Sequence, residues 1–486
     1  MCPKEKYLRW QKKPKAPAAA RIPKRPAAWE FIADYLCVPL FIFWCAYQPN
    51  FMHGLIDYLE EGQHLSVINE IFHGKIPAKD AFIIYGPLHV YIPALLMIFF
   101  GKTLAVLRGY FHFGSIFSLL AAYFLGRQLL RKRLFAYLLA FLLVLEVSHP
   151  FWSTRWGGIR MGIGLLSILF LINFVRKKKL VWLFCAGIFA GFSALYSLEI
   201  GVFSFACGLL AAALVYFDGK GSRLSSGVKS LAFYIAGVSL VVLPFLAYYS
   251  AENALGPYLE TVFAVSMGHS RVWKQGVPPF FPKGLNYSNF FSWIFGLNFK
   301  LYLPALVYAV AALYISVKLF KKEFTERTAV ILILASYGLL SYGVSFRAID
   351  GPQFQIALPP VLILICLFTE HCFGYVRKNI ASAFKPRVNY KVLFLSAALI
   401  FSLVYLLGSQ KRYYFSLGGW FLCQANKDKI MPMYSMPVSL LRIPLVPLEI
   451  ERAKGILLPQ EQKEEVEDWE YPGYPPLLKS TAPLRQ

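Results

Sequence analysis

The sequence predicts an all-α polytopic membrane protein with about 11–13 transmembrane helices, on the basis of its composition, its apolar runs and its charge distribution. Hydrophobic residues make up 57% of the 486 positions, only 16% are charged, and the mean hydropathy is +0.51. The apolar residues form about a dozen runs that approach the roughly 20 residues a helix needs to cross a bilayer. These runs must be helices, because backbone groups in lipid have to pair within their own segment.

The apolar runs divide the chain into three parts. A basic tail at 1–30 precedes a transmembrane domain at 31–410, and a short extracytoplasmic tail follows at 411–486. After a first span at 31–48 comes a polar stretch at 49–87, and the apolar region 88–126 is broken at Gly101-Lys102. A second large polar loop is expected at 251–299. The remaining runs lie near 134–148, 159–175, 180–197, 200–217, 231–250, 300–317, 328–345, 354–371 and 391–408.

The net charge of +24 is distributed in short clusters between the runs, which is typical of cytoplasmic loops and not of a nucleic-acid-binding surface. If the N-terminus is cytoplasmic, every cluster faces the cytoplasm provided that 88–126 makes a net single crossing, for instance as a short re-entrant arm followed by a full span. Two full spans there are the less favoured alternative. The clusters beyond the tail are 127–133, 176–179, 220–229, 318–327 and 377–391. We expect a multi-pass protein of a bacterial inner membrane, and an endoplasmic reticulum location would keep the same geometry.

This topology, derived from the basic loops alone, places most of the unusual polar residues on the outer side. Chance would divide them between the two faces, so their grouping indicates a site on the outer face. They are Asp57, Glu60, Glu61, Asp80, Arg155, Arg160, Glu199, His269, Arg271, Arg347 and Asp350.

The first outer stretch carries an apolar stripe at helical spacing that includes Leu65, Ile68 and Phe72. The stripe predicts an interfacial helix with its charged face towards water. Asp57, Glu60 and Glu61 fall within five residues of one another just after the first span. A carboxylate placed beside an acceptor hydroxyl can act as a general base, but a solvated acidic face on an interfacial helix explains the same residues equally well.

The order of residues in this stretch resembles the first extracytoplasmic loop of the GT-C glycosyltransferases, in particular the branch of the protein O-mannosyltransferases and the lipid A aminoarabinose transferase. The resemblance covers about residues 31–130. It rests on Glu60-Glu61-Gly62, Gly74-Lys75-Ile76-Pro77, Asp80, Tyr85-Gly86-Pro87-Leu88, a short apolar arm ending in Phe-Gly, and Arg108.

The resemblance implies a membrane glycosyltransferase that takes its sugar from a polyprenyl phosphate. The loop acid implied to be the catalytic base falls on Glu60, where the family usually has Asp, and Asp57 and Glu61 are the alternatives. Asp80 matches the second loop acid, which supports the acceptor or the geometry of the site. The acceptor implied is a lipid, glycan or protein hydroxyl on the outer face, and membrane lipids are the surrounding partner.

A leaving phosphate needs cations or hydrogen-bond donors where its charge develops. The candidates in the large loop are His269, Arg271 and Lys274, which basic snorkelling residues at an interface also explain. Arg347 and Asp350 at the outer end of a late span resemble the family's donor-side segment, and a local ion pair is the alternative. Glu199 between two apolar runs is a further candidate or part of an interfacial turn.

Other templates are missing from the sequence. It has no Walker A loop, GxGxxG, HExxH or GxSxG motif, and its eight cysteines show no CxxC spacing. Glu60 and His64 lie one turn apart but are too few ligands to define a metal site, so no cofactor is expected with certainty and a divalent metal ion stays an option. The alternative function is a transporter or flippase for lipid-linked glycans, which would favour charged residues within the spans.

Overall fold

The computed structural model describes residues 28–46, 60–83, 85–147, 158–216, 224–272, 297–345 and 351–382. These residues are almost entirely helical, and the sole β-type pairing among them is an isolated bridge between Pro77 and Ala81. The protein is therefore an all-α polytopic membrane protein, as the apolar runs predict. The expected span at 391–408 and both terminal tails lie outside the described residues.

The described helices follow the predicted runs closely. We number them α1 to α13 in chain order. They are α1 (Ala28–Ala46), α2 (Glu60–Phe72), α3 (Leu88–Phe100), α4 (Leu104–Leu129), α5 (Arg133–Val147), α6 (Gly158–Lys177), α7 (Leu180–Tyr196), α8 (Leu198–Tyr216), α9 (Leu224–Ala251), α10 (Leu255–Val272), α11 (Leu297–Phe320), α12 (Glu326–Ser345) and α13 (Gly351–Ser382).

Seven of the described helices are long and apolar enough to cross a membrane, namely α1, α4, α6, α9, α11, α12 and α13. Four shorter apolar helices, α3, α5, α7 and α8, accompany them. The helices α4, α6, α12 and α13 are mostly buried and form the centre of the bundle, whereas α1, α9 and α11 expose most of their side chains. Large exposed residues on the outer helices, such as Phe320 and Trp44, are suited to contact with lipid.

The predicted break at Gly101-Lys102 separates α3 from α4. Gly101 has a positive φ of 97°, which favours glycine, and Thr103 caps α4 by accepting a hydrogen bond from the Val106 N–H at 3.4 Å. The 13 residues of α3 span only about 20 Å, whereas the 26 residues of α4 span about 39 Å. A short arm followed by one full-length helix is thus the arrangement in this region.

A buried polar network lies at one end of the bundle, where α1 contains a π-helical turn at Ala33–Cys37. The Asp34 carboxylate accepts hydrogen bonds from Arg127 at 2.7 Å, from Arg133 at 2.9 Å and from the Tyr137 hydroxyl at 3.0 Å. Since these partners stand at the end of α4 and the start of α5, the beginning of α1 and the end of α4 share one end of the bundle. Because α1 leads away from this end, the chain from the end of α1 to the end of α4 makes a net single crossing back to it.

The predicted basic loops meet at this same end, which we call the basic end. The Glu370 carboxylate of α13 accepts the backbone N–H groups of Arg131 and Lys132, and Arg176 pairs with Glu326 at 3.4 Å. The loops between α4 and α5, between α6 and α7, and between α11 and α12 are thus on one side, as the charge pattern predicts. We call the opposite end, where α2 and the starts of α4 and α6 lie, the loop end.

Small residues set the close approach of α4 and α6 at the loop end. A Cβ at Gly158, the first residue of α6, would overlap the backbone of Ser115 in α4, and a Cβ at Gly114 would lie 2.9 Å from the Cβ of Ile159. The two helices can pack closely because neither glycine carries a side chain. This contact places the first turn of α6 against the segment of α4 that faces α2.

Candidate functional site

The charged face of α2 is buried, which corrects the expectation that it faces water. Leu65, Val67 and Ile68 enter an apolar cluster as the stripe predicts, but Glu61 and His64 on the same helix are also buried. Charged side chains are seldom buried unless they are paired. The helix α2 is therefore packed into the loop end of the bundle and does not lie on its surface.

Glu61 is held by a two-pronged ion pair with Arg108 of α4. The Arg108 Nε and Nη2 donate to the two carboxylate oxygens, each at 2.7 Å. Glu61 is 4% exposed and Arg108 6% exposed, so the pair is shielded from solvent. Two parallel hydrogen bonds of this kind fix the relative orientation of the two side chains as well as the distance between them. It anchors the first turn of α2, and hence the backbone of Glu60, to α4.

Two histidines lie in contact next to this ion pair. The rings of His64 in α2 and His89 in α3 are 4.6 Å apart between centroids, and both contact Phe111 of α4. His89 is 2% exposed, and neither of its ring nitrogens has a hydrogen-bond partner among the described residues. Burial holds the pKa of His89 well below its usual value, and the nearby His64 and Arg160 act in the same direction.

The first turn of α6 contributes Arg160 to this cluster. Its guanidinium lies 4.6 Å from the centre of the Tyr85 ring, and the residue is 3% exposed. The Tyr85 ring in turn lies 4.9 Å from the His89 ring. Cation–ring contacts of this kind are favourable, but they do not neutralise the charge of the arginine.

The Tyr85-Gly86-Pro87-Leu88 motif joins the first loop to α7. The Gly86 N–H donates to the Tyr196 carbonyl at 3.1 Å, and a Cβ at Gly86 would overlap the Leu195 carbonyl. The Tyr196 ring lies edge-on to His89 at 5.1 Å, and its hydroxyl bonds to that of Tyr110. The glycine is thus required because the backbones of two segments touch. Pro87 then precedes the first residue of α3.

A shallow cleft of about 20 Å³ opens between α2, α3 and the segment that joins them. Its wall combines two histidines and a glutamine with apolar side chains. The lining residues are Gln63, His64, Val67, Phe82, Ile83, Tyr85, Gly86, His89 and Val90.

Asp80 closes the turn that follows α2. Its carboxylate accepts the Ile76 N–H at 2.8 Å, and its own N–H donates to the Ile76 carbonyl at 2.9 Å. Lys79 donates to the Glu252 carbonyl at 2.7 Å, and the Tyr249 hydroxyl donates to the Pro77 carbonyl at 3.1 Å. The turn is thereby fixed to the end of α9, and Asp80 itself is exposed.

The structure brings part of the predicted site together. Glu61, Asp80 and Glu199 all lie at the loop end, and Glu199 is the second residue of α8, just after the end of α7. The backbone of Glu60 begins α2, and those of His269 and Arg271 lie in the last turn of α10, but the structure does not describe these three side chains. Lys274, Arg347 and Asp350 are outside the described residues.

Sequence reasoning missed His89, Tyr196 and Tyr110 as parts of the site. His89 is one polar residue in an otherwise apolar arm, and nothing local distinguishes it from an interfacial histidine. Its contacts with α2, α4 and α7 appear only after the arm has folded back. Arg160 was grouped with the outer polar residues, but its burial was not foreseen.

Within the described ranges, no three His, Cys, Asp or Glu side chains are grouped so that they could hold a metal ion. Glu61, the acid beside Glu60, is already engaged by Arg108. The ionisable side chains described at this end are carboxylates, imidazoles and guanidinium groups.

No model of a known protein family matches the sequence, and no curated protein matches it. Among solved structures, an oligosaccharyltransferase from Archaeoglobus fulgidus tethered to an acceptor peptide is 14% identical over 78% of this chain, with a TM-score of 0.43. A second structure of it, with Zn and sulfate, has a TM-score of 0.40, 14% identity and 77% coverage. The chain spans 55% and 52% of the lengths of those two chains.

ArnT from Cupriavidus metallidurans bound to undecaprenyl phosphate is 13% identical over 81% of this chain and 76% of its own, with a TM-score of 0.45. Both matched proteins are glycosyltransferases with the GT-C fold, the class that the first loop resembles. Neither similarity is close enough to establish a family, so the functional hypothesis rests on the residues of this chain.

Proposed function

We propose that this chain is a membrane glycosyltransferase that moves a sugar from a polyprenyl-phosphate donor to a lipid, glycan or protein hydroxyl on the outer face. The observation that carries the proposal is the burial of the charged face of α2. The Glu61–Arg108 pair fixes the start of α2 beside a cleft lined by two histidines. A solvated acidic face, the simpler interpretation of the same residues, does not account for that burial.

Glu60 is the proposed general base. It is the first residue of α2 and the chain neighbour of the anchored Glu61, so its backbone is fixed relative to α4. In the transfer, the Glu60 carboxylate accepts the proton of the acceptor hydroxyl while the hydroxyl oxygen attacks the anomeric carbon. The bond from that carbon to the phosphate oxygen breaks, and its electron pair leaves with the phosphate. A single in-line displacement inverts the configuration of the sugar carbon.

Glu61 and Asp80 are assigned supporting parts in this proposal. Glu61 orients the start of α2 through Arg108, and Asp80 maintains the turn that follows the helix. Glu199, His269, Arg271, Lys274, Arg347 and Asp350 are proposed as binding residues for the donor or the acceptor.

The transporter hypothesis receives less support. A transporter of charged glycans would place ionisable residues or broken helices at the midplane of the membrane. In the described bundle, Asp34, Arg127 and Arg133 gather at the basic end and Arg108 and Arg160 at the loop end. These five charged residues therefore lie towards the ends of the spans and not at their midplane.

The test is transfer by membranes that contain the protein, supplied with radiolabelled polyprenyl-phosphate sugars. Glu60→Gln is expected to lower the rate by at least about 100-fold, the contribution of a general base, while Glu60→Asp keeps part of the activity. The matched control is Glu252→Gln, which changes an exposed carboxylate at the same end of the bundle. Expression of each variant is compared by immunoblot.

Two outcomes would count against the proposal. If the wild type transfers no sugar from any donor, the transporter hypothesis becomes the favoured one. If Glu60→Gln and Glu252→Gln both match an active wild type, the base is elsewhere in the chain.

A further inference from the structure

The turn between α6 and α7, at the basic end of the bundle, carries four consecutive cations at 176–179. Arg176 pairs with Glu326 of α12, whereas the three lysines that follow are exposed. The sequence has no acidic residue anywhere in 147–198, so neither α6 nor α7 supplies a counter-charge. The turn is therefore a concentrated positive charge on the surface of the protein.

The packing of α7 against α9 fixes which residues of the two helices lie at the same height. A Cβ at Gly187 would lie 3.2 Å from the Cα of Gly237, and a Cβ at Gly191 would lie 3.0 Å from the Cβ of Val241. Because the two positions advance together, the helices are parallel. Each residue of α7 is thus level with the residue 50 positions later in α9.

This register places Lys229 of α9 level with Lys179 at the start of α7. Lys229 is exposed, and Ser230 beside it is buried, so α9 is packed against the bundle at this height. The axes of closely packed helices are about 8 Å apart. Within the described ranges, neither Lys179 nor Lys229 has an ion-pair partner. We call Lys177, Lys178, Lys179 and Lys229 the lysine cluster.

The lysine cluster stands where α7 leaves the apolar part of the bundle. The 17 residues of α7 span about 25 Å, which is close to the thickness of the hydrocarbon core, so its first turn lies near the membrane boundary. Trp182 in that turn has the Lys177 ammonium 4.5 Å from its ring centre. Tryptophan and lysine share this preference for the interface, with the ammonium at the level of the headgroups. Val181 and Val228, 55% and 59% exposed, add apolar surface beside the lysines.

The turn between α11 and α12 is a useful comparison at the same end. Its Lys322 has a φ of 53°, against 54° for Lys178, so the two turns share a left-handed residue. Lys321 and Lys322 are exposed as well. In this turn, however, Glu323 follows directly and pairs with Lys318 at 2.7 Å. Acidic residues are therefore mixed with the basic ones there, in contrast to the lysine cluster.

We propose that the lysine cluster binds the headgroup of an anionic phospholipid, of the phosphatidylglycerol type, in the leaflet that the basic end faces. The lysines attract the phosphate, and the acyl chains contact the apolar surface at Val181 and Val228. A lipid fits better than an acidic protein segment because the cluster continues directly into exposed apolar side chains at the membrane boundary. The proposal does not depend on the proposed function, since the first loop lies at the opposite end of the bundle.

The experiment titrates the full chain, purified in a zwitterionic detergent, with fluorescent phosphatidylglycerol, and compares phosphatidylcholine with the same label and acyl chains. Phosphatidylglycerol should bind more tightly than phosphatidylcholine. Lys179→Gln and Lys229→Gln should each weaken its binding about fivefold, the effect of one lysine near an anionic membrane surface. The double variant should lose at least about tenfold, and Lys179→Arg/Lys229→Arg should keep most of the affinity because it keeps the charges.

The matched control is Lys321→Gln/Lys322→Gln, which removes two exposed charges from the same end of the bundle. It should bind phosphatidylglycerol as the wild type does. The residues changed are exposed, so the denaturation midpoints without lipid should be equal.

Three results would overturn the proposal. Equal binding of the two lipids would show that the headgroup charge is not recognised. Equal weakening by the two glutamine double variants would show a diffuse attraction of the whole basic end and no local site. Tighter binding of poly-glutamate, with displacement of the lipid, would assign the cluster to an acidic protein segment. Because the measurement is lipid binding, an absence of transferase activity would leave the test unaffected.

Discussion

Gly86 and Tyr196 are joined by a backbone hydrogen bond of 3.1 Å that ties the first loop to the end of α7. A methyl group at position 86 would overlap the Leu195 carbonyl, so Gly86→Ala must displace one of the two backbones. Overpacking of this kind costs about 1–3 kcal/mol. We expect a lower thermal denaturation midpoint in detergent, because the first loop and α7 can no longer pack at their present distance.

Gly256→Ala is the matched control for this substitution. Gly256 lies at the start of α10, and a Cβ there meets no atom within 4 Å. Alanine should therefore leave the denaturation midpoint unchanged or raise it slightly. Equal midpoints for wild type and Gly86→Ala would mean that the loop and α7 are not in contact.

The Glu61–Arg108 pair is predicted to be a strong determinant of stability. Glu61→Gln leaves a buried guanidinium without its counter-charge, and Arg108→Gln leaves a buried carboxylate. Each single change should cost about 3–5 kcal/mol. The double variant Glu61→Gln/Arg108→Gln should lose less than the sum of the two, which a double-mutant cycle on denaturation midpoints measures.

Glu323→Gln serves as the control for that cycle. This substitution removes the exposed ion pair between Glu323 Oε2 and Lys318 Nζ, which are 2.7 Å apart. The denaturation midpoint should not change, because exposed ion pairs contribute little to stability. Strictly additive losses for Glu61→Gln and Arg108→Gln would show that the two side chains do not interact.

Asp80 is predicted to act through the turn and not through its charge. Asp80→Asn keeps an oxygen that can accept the Ile76 N–H, whereas Asp80→Ala removes the acceptor. We expect Asp80→Asn to keep most of the transfer rate and Asp80→Ala to lose roughly two- to tenfold, the effect of one net hydrogen bond. Hydrogen exchange at the Ile76 amide should speed up in the alanine variant. Loss of transfer in both variants alike would assign the carboxylate charge to the chemistry.

Much of the fold follows from local patterns that the sequence displays directly. Apolar runs set the helix bounds, the glycine and lysine at 101–102 mark the break after α3, and the basic clusters predict which loops share an end. These features are set by residues close together in the sequence, so they can be identified without the folded structure. The first-loop helix and the acidic pair at its start were found in the same way.

The candidate site was harder to predict because its contacts join distant segments. Arg108 was singled out by the resemblance, but its pairing with Glu61 spans 47 residues. The charged face of α2 was expected to meet water, since helical periodicity shows which residues share a face but not what covers that face. Asp34 was missed although it is the sole acidic residue of the first span, a signal that usually marks a functional or paired group.

The Asp34 network also constrains the order in which the protein can be built. When α1 leaves the ribosome, the Asp34 carboxylate lacks its two native partners, because Arg127 and Arg133 follow 93 and 99 residues later. An ionised acid within a span is costly in lipid. We therefore expect α1 to remain at the insertion machinery until the turn between α4 and α5 has been synthesised. Its release into the bilayer should be coupled to completion of that turn.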